Sequence, residues 1–284
     1  MVLSIMLFLI GFAYITQLVL DFLNTLYALF WKNLHLPYEQ TWALITASTD
    51  GIGLGFAEEL AKKGYNIVQV SRNESKMTSV SNVLSSTYGI KTLNIPFEFS
   101  SAVQDPISNY LKLFQQVKHL PISLIVNNVG VVTSGFTSNS KEILDLLAIN
   151  VWPSVFICKL LLENRKNQKK KVFIVNLSSI GAIRGLGLSF LAVYAASKAF
   201  LLCFSEILNS EEGNVLALTP GWVDTPNSRQ FKDYRNLVIT KNECALQALS
   251  QLGSISSSFG HPKHYLAAWH YRLTNIRQAL LRLV

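Results

Sequence analysis

Apolar residues are unevenly distributed along the chain, and their densest run lies at its start. Residues 1–31 are almost entirely apolar, and the first 20 of them carry no charged side chain. A helix needs about 20 such residues to cross the hydrocarbon core of a bilayer. We therefore expect an N-terminal transmembrane helix over residues 1–31. A cleaved signal peptide is the alternative, but no basic residue precedes the run and no small-residue cleavage pattern follows it.

From residue 42 onward, short apolar runs alternate with longer segments of helical period. Such alternation is typical of βαβ units that build a parallel sheet. The pattern predicts strands over residues 42–48, 66–70, 92–97, 123–126, 172–177 and 215–218. It predicts helices over residues 52–63, 103–117, 141–162 and 194–208. Six strands in this rhythm predict a Rossmann-type doubly wound α/β domain over residues 32–260, in which ligands bind where the strands end.

The composition narrows the class of partner. Half of the residues are hydrophobic and 15% are charged, which excludes a disordered chain. The formal net charge is +8, but the basic residues are scattered apart from a cluster over residues 165–171. A solvated loop is the simplest interpretation of this cluster, and attraction to anionic lipid is the alternative. We expect no nucleic-acid partner.

Cysteines and flanking charge indicate on which side of a membrane the domain lies. Cys158, Cys203 and Cys244 are odd in number, widely spaced and set in apolar surroundings. Buried reduced thiols are therefore expected rather than disulfides, which fits a cytosolic domain. Lys32 follows the anchor and favours the same side by the positive-inside rule. The sequon at Asn73 makes the orientation testable, because a lumenal domain could be glycosylated there.

The sequence ITASTDGIGLG, over residues 45–55, joins the first predicted strand to the first predicted helix. Gly51 and Gly53 allow the backbone to approach a pyrophosphate, whose charge the helix N-terminus stabilises. Polar side chains before the helix can cap it and contact a cofactor. The predicted cofactor-binding residues of this turn are Ser48, Thr49, Asp50, Gly51, Ile52 and Gly53. Ala47 stands where such turns usually begin with glycine, and it is tolerated if its φ is negative.

Tyr194 and Lys198 lie four residues apart at the start of an apolar helix, so their side chains share a face. A free tyrosine has a pKa of about 10, and a neighbouring ammonium stabilises its anion. The spacing therefore predicts that Tyr194 is a general acid and that Lys198 lowers its pKa.

Several motifs occur together in an order typical of one family. They are TASTDGIG from residue 46, NNVG from residue 127, Asn150, Ser178-Ser179, YAASK from residue 194 and PGWVDT from residue 220. Over residues 42–225 the chain thereby resembles the short-chain dehydrogenase/reductase family. It looks closest to the branch of very-long-chain 3-oxoacyl-CoA reductases and 17β-hydroxysteroid dehydrogenases of types 12 and 3.

The resemblance implies four catalytic residues. Tyr194 would give a proton to a substrate carbonyl while the reduced cofactor gives hydride to its carbon, and Ser179 would hydrogen-bond the same oxygen. Lys198 would also hold the nicotinamide ribose, and Asn150 would position a water that replaces the proton. Further cofactor contacts implied by the motifs are Asn128, Gly130, Tyr194, Lys198, Pro220, Gly221, Val223 and Thr225.

The interval between the serine and the tyrosine departs from the family pattern. Ser179 lies 15 residues before Tyr194, which is longer than usual. Ser178 is therefore a nearby alternative for the catalytic serine, and Ser189 a remote one. If the extra residues displace the strand end, the protein would bind cofactor without turnover. A catalytically silent, membrane-bound nucleotide-binding scaffold is thus the alternative to an enzyme.

Two residues after strands bear on the cofactor. Arg72 follows the second strand, where NAD-preferring enzymes usually place an acidic residue. The charge and fork geometry of an arginine suit a 2′-phosphate, so the expected cofactor is NADP(H). Glu98, after the third strand, resembles the family's acidic residue near the adenine.

An anchored reductase is expected to meet an apolar substrate at the bilayer. The resemblance implies a long- or very-long-chain 3-oxoacyl-CoA in fatty acid elongation, with a 17-ketosteroid or another lipid ketone as the alternative. Arg229, Lys232 and Arg235 could contact CoA phosphates. The implied location is the endoplasmic reticulum membrane with the domain facing the cytosol, and the candidate partners are a second copy of the chain or elongation proteins.

The C-terminal segment over residues 261–284 mixes aromatic and leucine side chains with arginines. It either packs on the domain or lies at the membrane interface beside the anchor. His261, His264 and His270 have no accompanying carboxylate or cysteine, so we expect no metal site.

Overall fold

The described residues form a parallel sheet of seven strands with helices on both faces. The computed structural model describes residues 2–30, 41–132, 139–166, 171–183, 191–226, 228 and 236–281. The strands are β1 (Trp42–Thr46), β2 (Asn66–Ser71), β3 (Thr92–Pro96), β4 (Ile122–Asn127), β5 (Phe173–Leu177), β6 (Val215–Leu218) and β7 (Ser257–Ser258). They lie in the order β3-β2-β1-β4-β5-β6-β7, and each neighbouring pair is parallel. The predicted doubly wound α/β fold is confirmed.

The helices that the structure describes are α1 (Val2–Phe30), α2 (Gly51–Lys62), α3 (Glu74–Tyr88), α4 (Pro106–Val117), α5 (Ser140–Asn150), α6 (Trp152–Lys166), α7 (Ala192–Glu212), α8 (Lys241–Gln251) and α9 (Pro262–Leu281). Short 3₁₀ turns lie at Ser101–Val103 and Ile180–Ala182.

The sheet is buried on both faces, which explains the composition of its strands. The sequences WALIT in β1 and ISLIVN in β4 are runs of apolar residues rather than alternating patterns. One core includes Phe56 and Leu60 of α2 and Leu249 of α8, and the other includes Tyr110 of α4 and Ile157 of α6. The strand order reverses between β1 and β4, so a crevice forms at the carboxyl ends of these strands.

Three elements escaped the sequence prediction. The strand β7 is only two residues long and polar, so it gives no apolar pattern. The helices α3 and α8 are largely polar, but their end signals are present. Asn73 caps α3 by accepting a hydrogen bond from the Lys76 amide at 2.9 Å, and α8 begins with a capping box of Thr240 and Glu243.

The predicted single helix over residues 141–162 is wrong, because the chain forms two helices there. The helix α5 ends at Asn150 and α6 begins at Trp152. Pro153 has no backbone N–H and cannot continue the hydrogen-bond ladder of α5, so the break follows from the sequence. It leaves Asn150 at the last position of α5.

The helix α1 runs over residues 2–30, and its apolar side chains are widely exposed, with Phe8 at 70% and Ile10 at 64%. By length and apolarity, Ser140–Lys166 and Ala192–Glu212 could also cross a membrane, whereas the apolar stretch within α1, Ser4–Thr16, is shorter. Within those two stretches, α6 packs on β4, and α7 packs on β5 and β6. The ring of Phe22 in α1 meets that of Trp269 in α9 edge to face at 6.1 Å.

The cysteine prediction is correct for two of the three residues. Cys158 and Cys244 are buried and free, whereas Cys203 is exposed on the outer face of α7. The apolar neighbours of Cys203 in sequence belong to an amphipathic helix, and it lies on the side of that helix turned away from the sheet.

Candidate active site

The turn between β1 and α2 lies at the carboxyl end of β1 and begins with an unusual backbone conformation. Ala47 has a φ of +51°, in the left-handed region. The condition under which alanine would be tolerated, a negative φ, is therefore not met: the turn keeps the conformation that favours glycine, and alanine adopts it at a cost of about 1 kcal/mol. For the same reason β1 ends at Thr46 rather than at residue 48 as predicted.

The side chains of this turn divide into two groups. The Ser48 hydroxyl is fully buried and donates to Gln69 Oε1 at 3.1 Å, so it points into the core and not to the crevice. This corrects the prediction for the Ser48 side chain. The Asp50 carboxylate accepts from the Gly51 amide at 2.8 Å and caps α2. Thr49 lies near the surface, with its hydroxyl 3.4 Å from that of Ser71.

A glycine is needed at positions 51 and 53 for different structural reasons. Gly51 has a φ of +49°, and a Cβ there would lie 3.1 Å from Thr225 Cγ2, so Thr225 closes over the turn. A Cβ on Gly53 would lie 2.3 Å from the Ala47 carbonyl oxygen and 2.4 Å from Asn128 Nδ2. Side chains are thus excluded at both positions, and the first amides of α2, including that of Ile52, have no acceptor within the helix.

Asn128 fastens the turn to the end of β4. Its side-chain amide donates to the carbonyls of Thr46 at 3.0 Å and Ala47 at 3.1 Å. The Thr46 hydroxyl in turn accepts from the amides of Asn128 and Val129, both at 2.9 Å. The structure therefore gives the Asn128 side chain a role in holding the turn, whereas the motif had implied a contact to cofactor.

Asn150 reaches from the end of α5 to the segment after β4. Its Oδ1 accepts from the Val131 amide at 2.8 Å, and its Nδ2 donates to the Val131 carbonyl at 3.1 Å and to Ser197 Oγ at 3.0 Å. Only 1% of Asn150 is exposed. It thereby links α5 and the segment after β4 to Ser197 of α7, which directly precedes Lys198.

Lys198 is a buried cation at the centre of this region. Its Nζ donates to the Leu177 carbonyl at 2.7 Å, and no carboxylate of the described residues lies within ion-pair distance. Burial lowers the pKa of Lys198 to about 8. A Cβ on Gly130 would lie 3.0 Å from Nζ and 3.4 Å from Asn150 Oδ1, so a glycine is needed where the chain passes the ammonium.

Tyr194 lies on the same face of α7, one turn before Lys198. The Lys198 Nζ is 5.9 Å from the centre of the tyrosine ring. The side chains of Tyr194 and Ser179 are neighbours: a Cβ on Gly181 would lie 3.5 Å from Ser179 Oγ and 3.9 Å from Tyr194 Cε1. Burial raises the pKa of Tyr194, and the Ser179 side chain lowers it by a smaller amount. The prediction that Lys198 holds this pKa below its ordinary value is therefore wrong in the ligand-free protein, because burial of the phenol is the largest influence on its pKa.

Two of the three candidate serines can be compared. The Ser178 hydroxyl donates to the Lys198 carbonyl at 2.6 Å and is buried. The Ser179 hydroxyl accepts from the Gly181 amide at 3.1 Å and faces Tyr194. The structure thus brings Ser179 and not Ser178 to the tyrosine. Ser189, and most of the long interval after Ile183, lie outside the described residues.

The loop after β6 closes the crevice on the other side. Pro220 accepts a hydrogen bond from the Ile180 amide at 3.0 Å, which joins this loop to the turn that carries Ser179. Val223 is buried and forms a β-bridge with Ile239. Gly221 lies against the ring of His264. The basic residues Arg229, Lys232 and Arg235 lie outside the described residues.

The outer corner of the crevice is cationic. Arg72 is exposed directly after β2, and Lys76 in the first turn of α3 lies 3.8 Å from the Asp50 carboxylate. Thr49 and Ser71 add hydroxyl groups beside them. Glu98, predicted near the adenine, is exposed and accepts from the Ser100 hydroxyl at 2.9 Å within its own turn.

Some residues of the site could not be found from the sequence. Ser197 holds Asn150 and the Leu177 carbonyl holds Lys198; Ser197 belongs to the YAASK motif, but nothing in the sequence signals either contact. Lys76 enters the cationic corner only because the unpredicted helix α3 starts there. His264 was considered only as a metal ligand, although it is a buried neighbour of Gly221.

Comparisons with known proteins bear on the family to which this chain belongs. A family model described as short chain dehydrogenase matches residues 41–236. A very-long-chain 3-oxoacyl-CoA reductase of Scheffersomyces stipitis is 33% identical over 180 residues, which are 60% of this chain and 51% of that protein. Hydroxysteroid dehydrogenase-like protein 1 of Gallus gallus is 34% identical over 234 residues, which are 78% of this chain and 69% of that protein.

The chain spans about half the length of the first curated relatives that it matches. Among solved structures, a short-chain dehydrogenase from Sphingobium yanoikuyae in complex with NADPH has a TM-score of 0.68 at 24% identity. The aligned region covers 86% of this chain and 96% of the Sphingobium yanoikuyae chain. This likeness lies in the fold.

Proposed function

Since the chain belongs to the short-chain dehydrogenase/reductase family, we propose that it reduces a lipid ketone with NADPH. The observation that carries this proposal is the joint placement of Ser179, Tyr194 and Lys198 beside the glycine-rich turn. A phenol, a hydroxyl and an ammonium converge there at the carboxyl ends of the central strands, where ligands of doubly wound sheets bind.

The residues of the crevice fit a nicotinamide dinucleotide. The turn between β1 and α2 excludes side chains at Gly51 and Gly53, and it presents the amides and positive dipole end of α2, which suit a pyrophosphate. An ammonium has three N–H donors, and Lys198 uses one for the Leu177 carbonyl. The other two would suit the hydroxyl groups of a ribose.

The proposed reaction needs a proton at the carbonyl oxygen. When bound, the reduced nicotinamide supplies the hydride that goes to the carbonyl carbon. Ser179 would donate a hydrogen bond to the carbonyl oxygen, and Tyr194 would transfer its proton to the same atom. Burial keeps the pKa of Tyr194 above its ordinary value, so the phenol holds a proton at neutral pH until the developing alkoxide takes it.

Lys198 and Asn150 would serve the phenolate that this transfer leaves. The Lys198 ammonium lies 5.9 Å from the centre of the Tyr194 ring, and a nearby cation stabilises an anion more strongly in a buried site than in water. Asn150 is held by three hydrogen bonds, two to Val131 and one to Ser197, so it is a fixed polar group beside the ammonium. We propose that it orders a water through which the tyrosine regains its proton.

The preference for NADPH over NADH is proposed from the cationic corner. Arg72 and Lys76 provide two positive charges, and Thr49 and Ser71 provide hydroxyl groups, beside the end of β2. A 2′-phosphate carries two negative charges and hydrogen-bond acceptors that these groups match. Two carboxylates are described near them: Asp50, which lies within ion-pair distance of Lys76, and Glu74 in the first turn of α3.

The proposed substrate is a long- or very-long-chain 3-oxoacyl-CoA, which would become the 3-hydroxyacyl-CoA. Its support is the relatives named as reductases of this substrate and the exposed apolar surface of α1, which suits a bilayer. We further propose that α1 anchors the chain in the endoplasmic reticulum membrane, with the domain on the cytosolic side.

The test uses the full chain in detergent micelles, with NADPH oxidation followed by absorbance. We expect turnover with a long-chain 3-oxoacyl-CoA, and a loss of about 100-fold or more in Tyr194→Phe with NADPH affinity unchanged. Tyr88→Phe is the matched control, because Tyr88 ends α3 at the opposite edge of the sheet. Undiminished turnover in Tyr194→Phe would contradict the proposed acid.

A hydroxysteroid dehydrogenase is the second candidate, and one comparison favours it. The relative with 69% of its length covered carries the name hydroxysteroid dehydrogenase-like protein 1. Faster turnover of a 17-ketosteroid than of any 3-oxoacyl-CoA would support this candidate. If Tyr194→Phe restores growth of cells that lack the protein, the silent scaffold is supported instead.

A further inference from the structure

The side chain of His264 is buried at the base of the loop that follows β6. It lies in the first turn of α9 and is fully inaccessible. Its Nε2 is 3.2 Å from the Trp222 carbonyl oxygen, and its Nδ1 is 3.4 Å from the Phe259 carbonyl oxygen. A Cβ on Gly221 would lie only 2.9 Å from Cδ2 of the ring. The imidazole therefore touches two consecutive residues of the loop.

Burial lowers the pKa of His264, so the ring is neutral near pH 7 and carries one N–H. Two carbonyl oxygens face its two nitrogens, and one N–H can serve only one of them. The Leu237 carbonyl is a further backbone neighbour of the ring, but the shorter of the two distances favours donation from Nε2 to Trp222. The bond to the loop is thus the stronger of the two.

The loop held by His264 is hydrogen-bonded to the catalytic turn. Pro220, directly before Gly221, accepts from the Ile180 amide at 3.0 Å, and Ile180 follows Ser179. On the other side, the Ile239 amide donates to the Trp222 carbonyl at 3.1 Å. A displacement of the 220–222 backbone would therefore be felt at Ser179 through a single hydrogen bond.

We propose that His264 is a positioning residue, which rests on the proposed function for its catalytic consequence. It holds the backbone of residues 220–222 in place. Through the Pro220 carbonyl it also holds the turn that carries Ser179 in the position in which Ser179 meets Tyr194. The loop is otherwise tied by β6 on one side and by the bridge between Val223 and Ile239 on the other. The bridge also holds the Trp222 carbonyl, through the Ile239 amide, whereas the imidazole adds a second contact to that oxygen and packs against Gly221.

The test compares three substitutions in the full chain. His264→Leu removes the hydrogen bond to Trp222 together with the polar contact to Phe259, His264→Asn can imitate only Nδ1, and His264→Gln can imitate Nε2. We expect amide exchange at Ile180 and residues 222–224 to rise about tenfold in the Leu and Asn variants, as one lost buried hydrogen bond predicts. The Gln variant should remain near the wild type.

Kinetics give the second measurement. In the Leu and Asn variants we expect kcat to fall about tenfold or more, with KM for the ketone changed much less, because small displacements of catalytic groups are costly. His264→Gln should restore kcat. His270→Gln is the matched control, because His270 is exposed on the same helix.

Two results would overturn the proposal. One is exchange that rises equally in the loop and in central strands such as β2, which would mark a purely global effect on stability. The other is a loop in His264→Leu that exchanges as slowly as in the wild type. If no ketone is reduced by the wild-type chain, the proposed function fails, but the exchange experiment still decides whether His264 holds the loop.

Discussion

Gly130 and Lys198 lie so close that a single added methyl group would fill the space between them. A Cβ on Gly130 would stand 3.0 Å from the lysine Nζ and 3.4 Å from Asn150 Oδ1. The position of the ammonium is thus set by a glycine distant in sequence. The Lys198 ammonium and the Asn150 side chain are both held by hydrogen bonds. They therefore cannot both move away freely from a methyl group added at Gly130.

Substitution Gly130→Ala should push the Lys198 ammonium and the Asn150 side chain apart without unfolding the chain. The backbone of Gly130 is not in the left-handed region, so alanine fits its conformation. We expect kcat to fall about tenfold or more, because the ammonium is displaced from the tyrosine. Gly181→Ala is the matched control, since its Cβ would meet Ser179 Oγ at an ordinary 3.5 Å. Equal activities of the two variants would contradict the prediction.

Substitution Ala47→Gly should reverse the usual effect of glycine on stability. Glycine normally costs about 1 kcal/mol relative to alanine in a helix, but at a φ of +51° it relieves a similar amount of strain. We expect a free energy of unfolding equal to or above that of the wild type. Ala196→Gly, at an exposed helical position, should lower it by about 1 kcal/mol. Urea titration measures both, and an equal loss in the two variants would contradict the strained turn.

Substitution Lys198→Met should abolish turnover and stabilise the ligand-free protein. The pKa of Lys198 is about 8 in the folded state, against 10.5 ordinarily, so at pH 7 the buried charge costs about 3 kcal/mol. Loss of the bond to the Leu177 carbonyl offsets about 1 kcal/mol of the gain. We expect a net increase of about 2 kcal/mol at pH 7.

The sign of this effect can be checked by its pH dependence. Between pH 8 and 10.5 the unfolded lysine holds more protons than the folded one, so the wild-type stability rises with pH in this range. The advantage of Lys198→Met should therefore shrink from pH 8 upward. A difference between the two proteins that is constant from pH 7 to 10 would show that the charge is not the cause.

Substitution Arg72→Glu should change the cofactor preference. A carboxylate there would repel a 2′-phosphate and could accept hydrogen bonds from a ribose diol. We expect the ratio of kcat/KM for NADPH over NADH to fall about 100-fold, which is the size of a lost charge-assisted pair plus repulsion. Lys91→Glu is the matched control, because Lys91 is exposed at the amino end of the sheet. An unchanged ratio in Arg72→Glu would remove the main support for NADP(H).

Glycosylation should reveal the orientation of the domain. Asn176 is fully buried in β5 and cannot accept a sugar once folded, whereas Asn73 is exposed at the start of α3. If the domain is cytosolic as proposed, the chain made in microsomes should show no shift on endoglycosidase treatment. An acceptor tag before residue 1 is the positive control. Modification at Asn73, removed in Asn73→Gln, would place the domain in the lumen.

The sequence pattern predicted the structure best where a single local rule determines the local conformation. The strand runs and the four-residue spacing of Tyr194 and Lys198 depend on periodicity alone, and both recur in the fold as expected. Polar helices such as α3 and α8 were missed because their faces are weakly apolar, although their capping residues were visible. The break at Val151 was also readable, since Pro153 follows it, but the apolar pattern continues across it.

The sequence by itself determined the sheet, the glycine-rich turn and the face that Tyr194 shares with Lys198, because periodicity, turn chemistry and spacing act over a few residues. Only the tertiary structure decided that Ser179 rather than Ser178 meets the tyrosine, that Ser48 turns inward, and that burial raises the pKa of the phenol. These depend on which distant groups exclude water or supply a hydrogen-bond partner. Desolvation is a property of the assembled neighbourhood, and no short stretch of sequence contains it.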